Sequence, residues 1–144
     1  MSGLRVLALL LSLGSAAALA ADEDYALARK RLVESNLQLS PEEATRFWPL
    51  YERYWSELSA LTARREYYYN EFGNNFDNMT DELAKKITLG YIAVEEDRYR
   101  ILKSFFPKFV AAISAKKAAR YYQIEAKIQS AVNSEIAARI PLIK

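Results

Sequence analysis

The sequence predicts an all-α protein: four helices built around a long, kinked antiparallel hairpin, elongated and curved. Three observations predict it. Apolar residues recur at steps of three and four over two long stretches, the spacing of one helical face. No segment alternates with the period of a strand. Glycine and proline, the residues that interrupt helices, number only four each in 144 residues.

The first element is an address. Met1 to Arg5 carries one positive charge, Val6 to Leu13 is an apolar run broken only by Ser12, and Ala18-Leu19-Ala20 puts small residues where a signal peptidase reads. This is the three-part pattern of a secretory signal peptide, residues 1–20, cleaved after Ala20. The uncharged stretch after Arg5 ends at Ala21, short of the roughly 18–20 residues that span a bilayer, which argues against a retained anchor. Residues 21–144 are then expected to form a single all-helical domain. The cysteine count is 0. Small exported domains of eukaryotes usually carry disulfides, so the expected location is the bacterial periplasm.

A short first helix is expected over Glu23 to Ser35, with Tyr25, Ala28 and Leu32 on one face. Leu39-Ser40-Pro41-Glu42-Glu43 is a helix start: Ser40 can cap, Pro41 suits the first helical position, and Glu43 completes a capping box. The second helix should run to about Phe72. Its seam is Phe47, Tyr51, Tyr54, Leu58, Leu61, Arg65, Tyr68 and Phe72, flanked by Trp48, Trp55 and Tyr69. Gly73-Asn74-Asn75 should break it. Thr80 caps the third helix, with Asp81 and Glu82 at the positive end of its dipole. Its seam is Ala84, Ile87, Tyr91, Val94, Arg98, Ile101 and Phe105, ending near Ala112. Ser114 can cap a fourth helix carrying Tyr121, Ile124, Ile128, Val132 and Ile136, stopped by Pro141.

The second and third helices are each about 32 residues, or roughly 48 Å at 1.5 Å per residue. A short turn makes them antiparallel neighbours. Such a hairpin has more apolar surface than it can hide, so the flanking helices should cover part of it and a second copy of the chain more; a homodimer is expected. With the turn centred near residue 76, Phe105 should face Phe47. Pro49 and Pro107 should then lie within about one turn of each other and bend both rods at one level.

Composition excludes much chemistry. Lys plus Arg is 20 and Asp plus Glu is 18, a net charge of +2, too balanced for a nucleic-acid binder. The chain has no histidine and no cysteine, which removes the commonest general base, thiol nucleophiles and the usual ligands of soft or borderline metals. Met79 is the only methionine left after export. Glu95-Glu96-Asp97 reads as a solvated acidic face, because successive residues point around a helix and cannot converge on one ion. No phosphate-cradling glycine loop is present. Neither a cofactor, a metal nor a catalytic residue is expected, and the protein is not expected to be an enzyme.

The segment Leu39-Ser40-Pro41-Glu42-Glu43-Ala44-Thr45-Arg46-Phe47-Trp48 realigns with Ile113-Ser114-Ala115-Lys116-Lys117-Ala118-Ala119-Arg120-Tyr121-Tyr122. Each copy reads aliphatic, Ser, two variable residues, a long polar residue, Ala, one variable residue, Arg, aromatic, aromatic, and each opens a helix. With this repeat the chain resembles the Spy/CpxP-like family of periplasmic proteins, defined by two LTxxQ motifs. Leu39, Ser40 and Glu43 match the first motif, and Ile113, Ser114 and Lys117 the second. Ser replaces Thr twice and keeps a capping hydroxyl. Glu43 and Lys117 replace the two glutamines, and Lys117 cannot accept the hydrogen bond a glutamine would. The resemblance implies thin, curved helical dimers that act as ATP-independent periplasmic chaperones or as inhibitory partners of an envelope-stress sensor kinase. A related branch of the family senses heavy metals and controls sigma factors, a role that the missing ligand types argue against here.

The aromatic residues are the remaining signal. Phe47, Trp48, Tyr51, Tyr54 and Trp55 cluster on one helix, Phe105, Phe106 and Phe109 should lie opposite, and Tyr121 and Tyr122 open the last helix. A slender hairpin cannot bury every ring. With Arg46 and Arg120 they are the candidate surface for unfolded polypeptide, since large rings offer contact area at low entropy cost and arginine stacks on them. The alternative is a regulatory accessory that docks on the periplasmic domain of a membrane sensor or on an anti-sigma factor. Arg65 and Arg98 fall on apolar seams, so either the seam is open to solvent there or they are paired across the hairpin or dimer.

Overall fold

The computed structural model describes residues 16–143. They form four α-helices, with no strand among them: α1 Ala16–Leu37, α2 Pro41–Asn75, α3 Asp81–Ile113 and α4 Ala115–Ala137. A single 3₁₀ turn, Phe76–Asn78, lies between α2 and α3. The protein is all-α. The charged and apolar parts of the expected signal peptide, Met1 to Leu13, lie outside the described residues. No helix among the described residues is long and apolar enough to cross a membrane.

Two compact units divide the chain, one drawn from α1 and α4, the other from α2 and α3. In the second, α2 and α3 pack as an antiparallel hairpin. Its interior is a column of rings. Phe47 meets Phe109 with centroids 5.4 Å apart, Tyr54 meets Phe105 at 5.4 Å and Phe109 at 5.7 Å, and nearer the turn Tyr68 and Tyr69 meet Tyr91 at 5.9 Å and 5.0 Å. Aliphatic Leu61 and Val94 are buried between these groups, and Ile87 is buried one turn from Tyr91 toward the hairpin turn. The Tyr68 ring packs directly on Gly90, where a β-carbon would collide with it.

This register corrects the expected one. Phe47 lies opposite Phe109, about one helical turn beyond Phe105. The cause is the end of α2, which runs through Gly73 to Asn75 instead of stopping at Phe72. A glycine in a helix costs only about 1 kcal/mol relative to alanine, and Asn75 offsets it by donating its Nδ2 to the Glu71 carbonyl at 2.8 Å. The turn therefore moves to the 3₁₀ segment and Thr80. Thr80 caps α3 as expected, its hydroxyl accepting from the Leu83 N–H at 3.2 Å. Pro49 and Pro107 both lie inside continuous helices. Each lacks a backbone donor, and the ring contacts on either side keep them within about one turn of each other.

The α1–α4 unit departs further from expectation. The inner face of α1 is Arg29, Val33 and Leu37, whereas Leu32 is exposed. On α4 the buried residues are Ala118, Tyr121 and Glu125. The apolar residues of α1 are spread around its circumference, so no stripe on it announces an inner side. The buried side carries Val33 and Leu37 and includes an ion pair between Arg29 and Glu125.

Two of the three junctions between helices carry the only non-glycine residues with positive φ among the described residues, Gln38 at 53° and Ser114 at 93°. Ser114 is the whole connection between α3 and α4. Its ψ of 156° places it in a region that is almost confined to glycine and costs about 1–3 kcal/mol. Its N–H donates to the Val110 carbonyl at 3.0 Å, closing α3.

Candidate functional site

The ten aromatic residues expected at a binding surface divide sharply. Phe47, Tyr51, Tyr54, Phe105, Phe109 and Tyr121 are core side chains. This corrects their assignment to a contact face: in this conformation they have no ring surface to offer. The physical reason is that each lies on the inner side of its helix, where burying a ring stabilises by about 1.5–3 kcal/mol. Trp48, Trp55 and Phe106 are half-buried, and Tyr122 is 43% exposed. Trp48 packs edge-on against Phe47 at 5.1 Å and Tyr51 at 5.3 Å, so its inner edge is held by the core while part of its surface stays in water.

The two repeat arginines have a structural task. Arg46 donates its Nε to the Ala112 carbonyl at 2.9 Å, in the last turn of α3. Arg120 donates its Nε to the Asn36 carbonyl at 2.7 Å, in the last turn of α1. Each repeat thus sends its arginine to the end of the helix that precedes the other repeat. The last carbonyls of a helix lack intrahelical donors and carry its negative dipole, which a guanidinium satisfies on both counts. Lys117 acts similarly, donating Nζ to the Gln38 carbonyl at 3.2 Å. A lysine where the motif has glutamine therefore keeps a hydrogen-bonding role, as a donor.

The seam arginines are paired. Glu95 accepts from Arg65 across the hairpin at 3.3 Å and from Arg98 on its own helix at 2.9 Å. Arg98 also lies over the Tyr99 ring, 4.5 Å from its centroid. Arg98 thus pairs within its own helix, whereas Arg65 pairs across the hairpin. Partial burial disfavours the Arg98 charge, but the hydrogen bond and charge of Glu95 together with Tyr99 outweigh it, and the guanidinium holds its proton more tightly than usual. Two residues after Glu95, Asp97 is shared by Arg64, at 2.5 Å, and Arg100. The acidic run is therefore not a uniform solvated face. Only Glu96 is fully exposed; Glu95 and Asp97 each bridge two arginines. Among the described residues no group of three or more acidic side chains converges as a metal site would require.

Two pKa shifts follow from this geometry. Burial pushes the Tyr91 phenol far above its ordinary value, with Tyr69 adding to it, so Tyr91 stays uncharged at any physiological pH. The Arg64 hydrogen bond, with Arg100 behind it, holds the Asp97 carboxyl below its ordinary 3.8. A depressed carboxylate stabilises the fold fully above its unfolded value and loses that contribution as pH falls through the folded one. Asp97→Asn should therefore flatten the acid limb of the stability–pH curve below about pH 4 and leave neutral pH nearly unchanged, as measured by urea denaturation at several pH values. An unchanged acid limb would show that Asp97 is solvated.

The buried Arg29–Glu125 pair was not legible in the sequence as a site. Its one signal is placement. Arg29 stands four residues before Val33, and Glu125 four after Tyr121, so opposite charges interrupt two otherwise apolar faces. Comparison of the chain with protein-family models, with curated proteins and with solved structures finds no match.

Proposed function

We propose that this protein acts by binding other polypeptides, as an ATP-independent, chaperone-like or envelope-stress protein of the periplasm that performs no catalysis. One observation carries the reading. Trp48 and Trp55, one heptad apart on the same side of α2, keep part of their rings at the surface while Phe47, Tyr51 and Tyr54 beside them are sunk in the core. Tryptophan is among the side chains that contribute most to protein contacts, because a large rigid surface is buried at little entropic cost. Exposed Tyr67, with Lys86 Nζ 5.9 Å from its ring centroid, adds a second aromatic surface with a cation beside it. The secretory pattern of residues 1–20 and the resemblance to Spy/CpxP-like proteins agree with this reading.

The test is suppression of aggregation. At a near-stoichiometric ratio the protein should keep unrelated unfolded proteins from scattering light. Trp48→Ala with Trp55→Ala should weaken this several-fold, and more than a core variant with the same thermal midpoint does. Saturable binding to a single periplasmic sensor domain, with no suppression of aggregation, would replace the holding role with a regulatory one. A titratable catalytic activity of the purified protein would overturn both.

A further inference from the structure

Helix α2 sorts its charges by side. Trp48, Glu52, Trp55, Ser59, Thr62 and Glu66 recur at alternating steps of four and three. At 100° per residue they share a sector about 80° wide, beside the buried seam of Phe47, Tyr51, Tyr54 and Leu61. Glu52, Ser59 and Thr62 are exposed, and Trp48, Trp55 and Glu66 are half-buried. The stripe holds two carboxylates and no cation. None of the arginines of α2 lies on it. Arg46, Arg53 and Arg64 sit about 140–160° away around the helix, where Arg46 is held by the Ala112 carbonyl and Arg64 by Asp97. Arg65 turns to Glu95. Arg46, expected beside the rings, thus stands away from the tryptophans, and acids take its place.

An indole ring and a carboxylate on one side of a helix attract the same kind of group. A lysine or arginine is drawn to the negative face of an aromatic ring, tryptophan most strongly, and its charged end pairs with a carboxylate. Its methylenes pack on the ring. An acidic segment is repelled by both. We infer that the tryptophan stripe of α2 selects unfolded segments rich in lysine and arginine. The inference rests on the holding role proposed above and names the class of polypeptide that fills it. Spacing adds a second criterion. Trp48 and Trp55 are seven residues apart, roughly 10 Å along the helix. Unfolded chains populate polyproline II, whose three residues per turn and rise of about 3.1 Å set every third side chain on one side, about 9 Å apart. A segment with a cation at every third position therefore places successive cations over the two rings, with Glu52 between them.

The only two tryptophans of the chain are both on this stripe, so intrinsic fluorescence reports on the surface directly. The probes are three disordered, serine-rich peptides without aromatic residues, carrying lysine, glutamate or glutamine at every third position. The lysine peptide should shift the tryptophan emission saturably, and the glutamate peptide should bind at least about tenfold more weakly. A net charge of +2 would by itself favour the reverse order, so the effect expected is local. Glu52→Gln with Glu66→Gln should weaken the lysine peptide several-fold and leave the glutamine peptide unchanged, with circular dichroism checking helicity. No binding of the lysine peptide, glutamate binding equal to or tighter than lysine, or a lysine affinity indifferent to the double change would each overturn the inference. Aggregation assays with a basic and an acidic unfolded protein of similar length separate it from the holding role. Protection of the basic one alone supports both. Equal protection of the two keeps the holding role and removes the charge preference, and protection of neither removes the holding role and the inference with it.

Discussion

Glu125→Ala should cost about 3–5 kcal/mol of folding stability, the largest single-residue effect expected for a polar side chain in this protein. Arg29 and Glu125 are only 5% and 7% exposed. Removing one partner leaves the other charge buried without its counter-charge, and the attraction that offset its lost hydration is gone. The attraction within such a pair is largely consumed by desolvation, so the intact pair itself contributes little. Replacing both at once, Arg29→Met with Glu125→Leu, should therefore fall within about 1 kcal/mol of the wild type or exceed it. The strong non-additivity of the two singles and the double, measured by urea denaturation, is the signature of a buried contact. If Glu125→Ala cost less than about 1 kcal/mol, the pair would have to be hydrated, and the inner face of α1 would need another explanation.

Phe109→Ala should destabilise by a similar amount, about 3–5 kcal/mol, for a different reason. The Phe109 ring meets Phe47, Tyr54 and Phe105 at centroid distances of 5.4, 5.7 and 6.2 Å. Its removal empties a volume walled by rigid rings on both helices, which cannot collapse to fill it. Phe106, three residues earlier and half-buried, should lose about 1 kcal/mol on the same change. The contrast separates a core ring from a surface ring on one helix. Equal effects at the two positions, read from denaturation midpoints, would mean that the ring column does not form. Either way, loss of polypeptide holding by Phe109→Ala reports on stability, and only Trp48 and Trp55 test the surface directly.

Local signals in the chain carried the architecture well. Ser-Pro ahead of α2 and Thr80 ahead of α3 mark helix starts through chemistry confined to a few residues, and both starts fall where that chemistry places them. The seams of α2 and α3 were legible because their apolar residues are concentrated on one side. The inner face of α1 was not, because its apolar residues are spread around the helix and the residue that belongs inside is an arginine. The candidate site was half legible. Aromatic residues mark places where large contact area exists, but spacing alone cannot separate a ring on the seam, such as Phe47, from one beside it, such as Trp48, when both neighbours are apolar.

By itself the sequence determined that this is an all-α chain, where most of its helices start, and which faces of α2 and α3 turn inward. Those properties depend on backbone capping and on 3.6-residue periodicity, which are local. Only the tertiary structure decided the hairpin register, the burial of Arg29 against Glu125, the sharing of Glu95 and Asp97 between arginines, and the anchoring of Arg46 and Arg120 at distant helix ends. Each of these joins residues at least thirty positions apart or depends on where such residues meet, and a charge becomes interior only when its partner arrives from another helix.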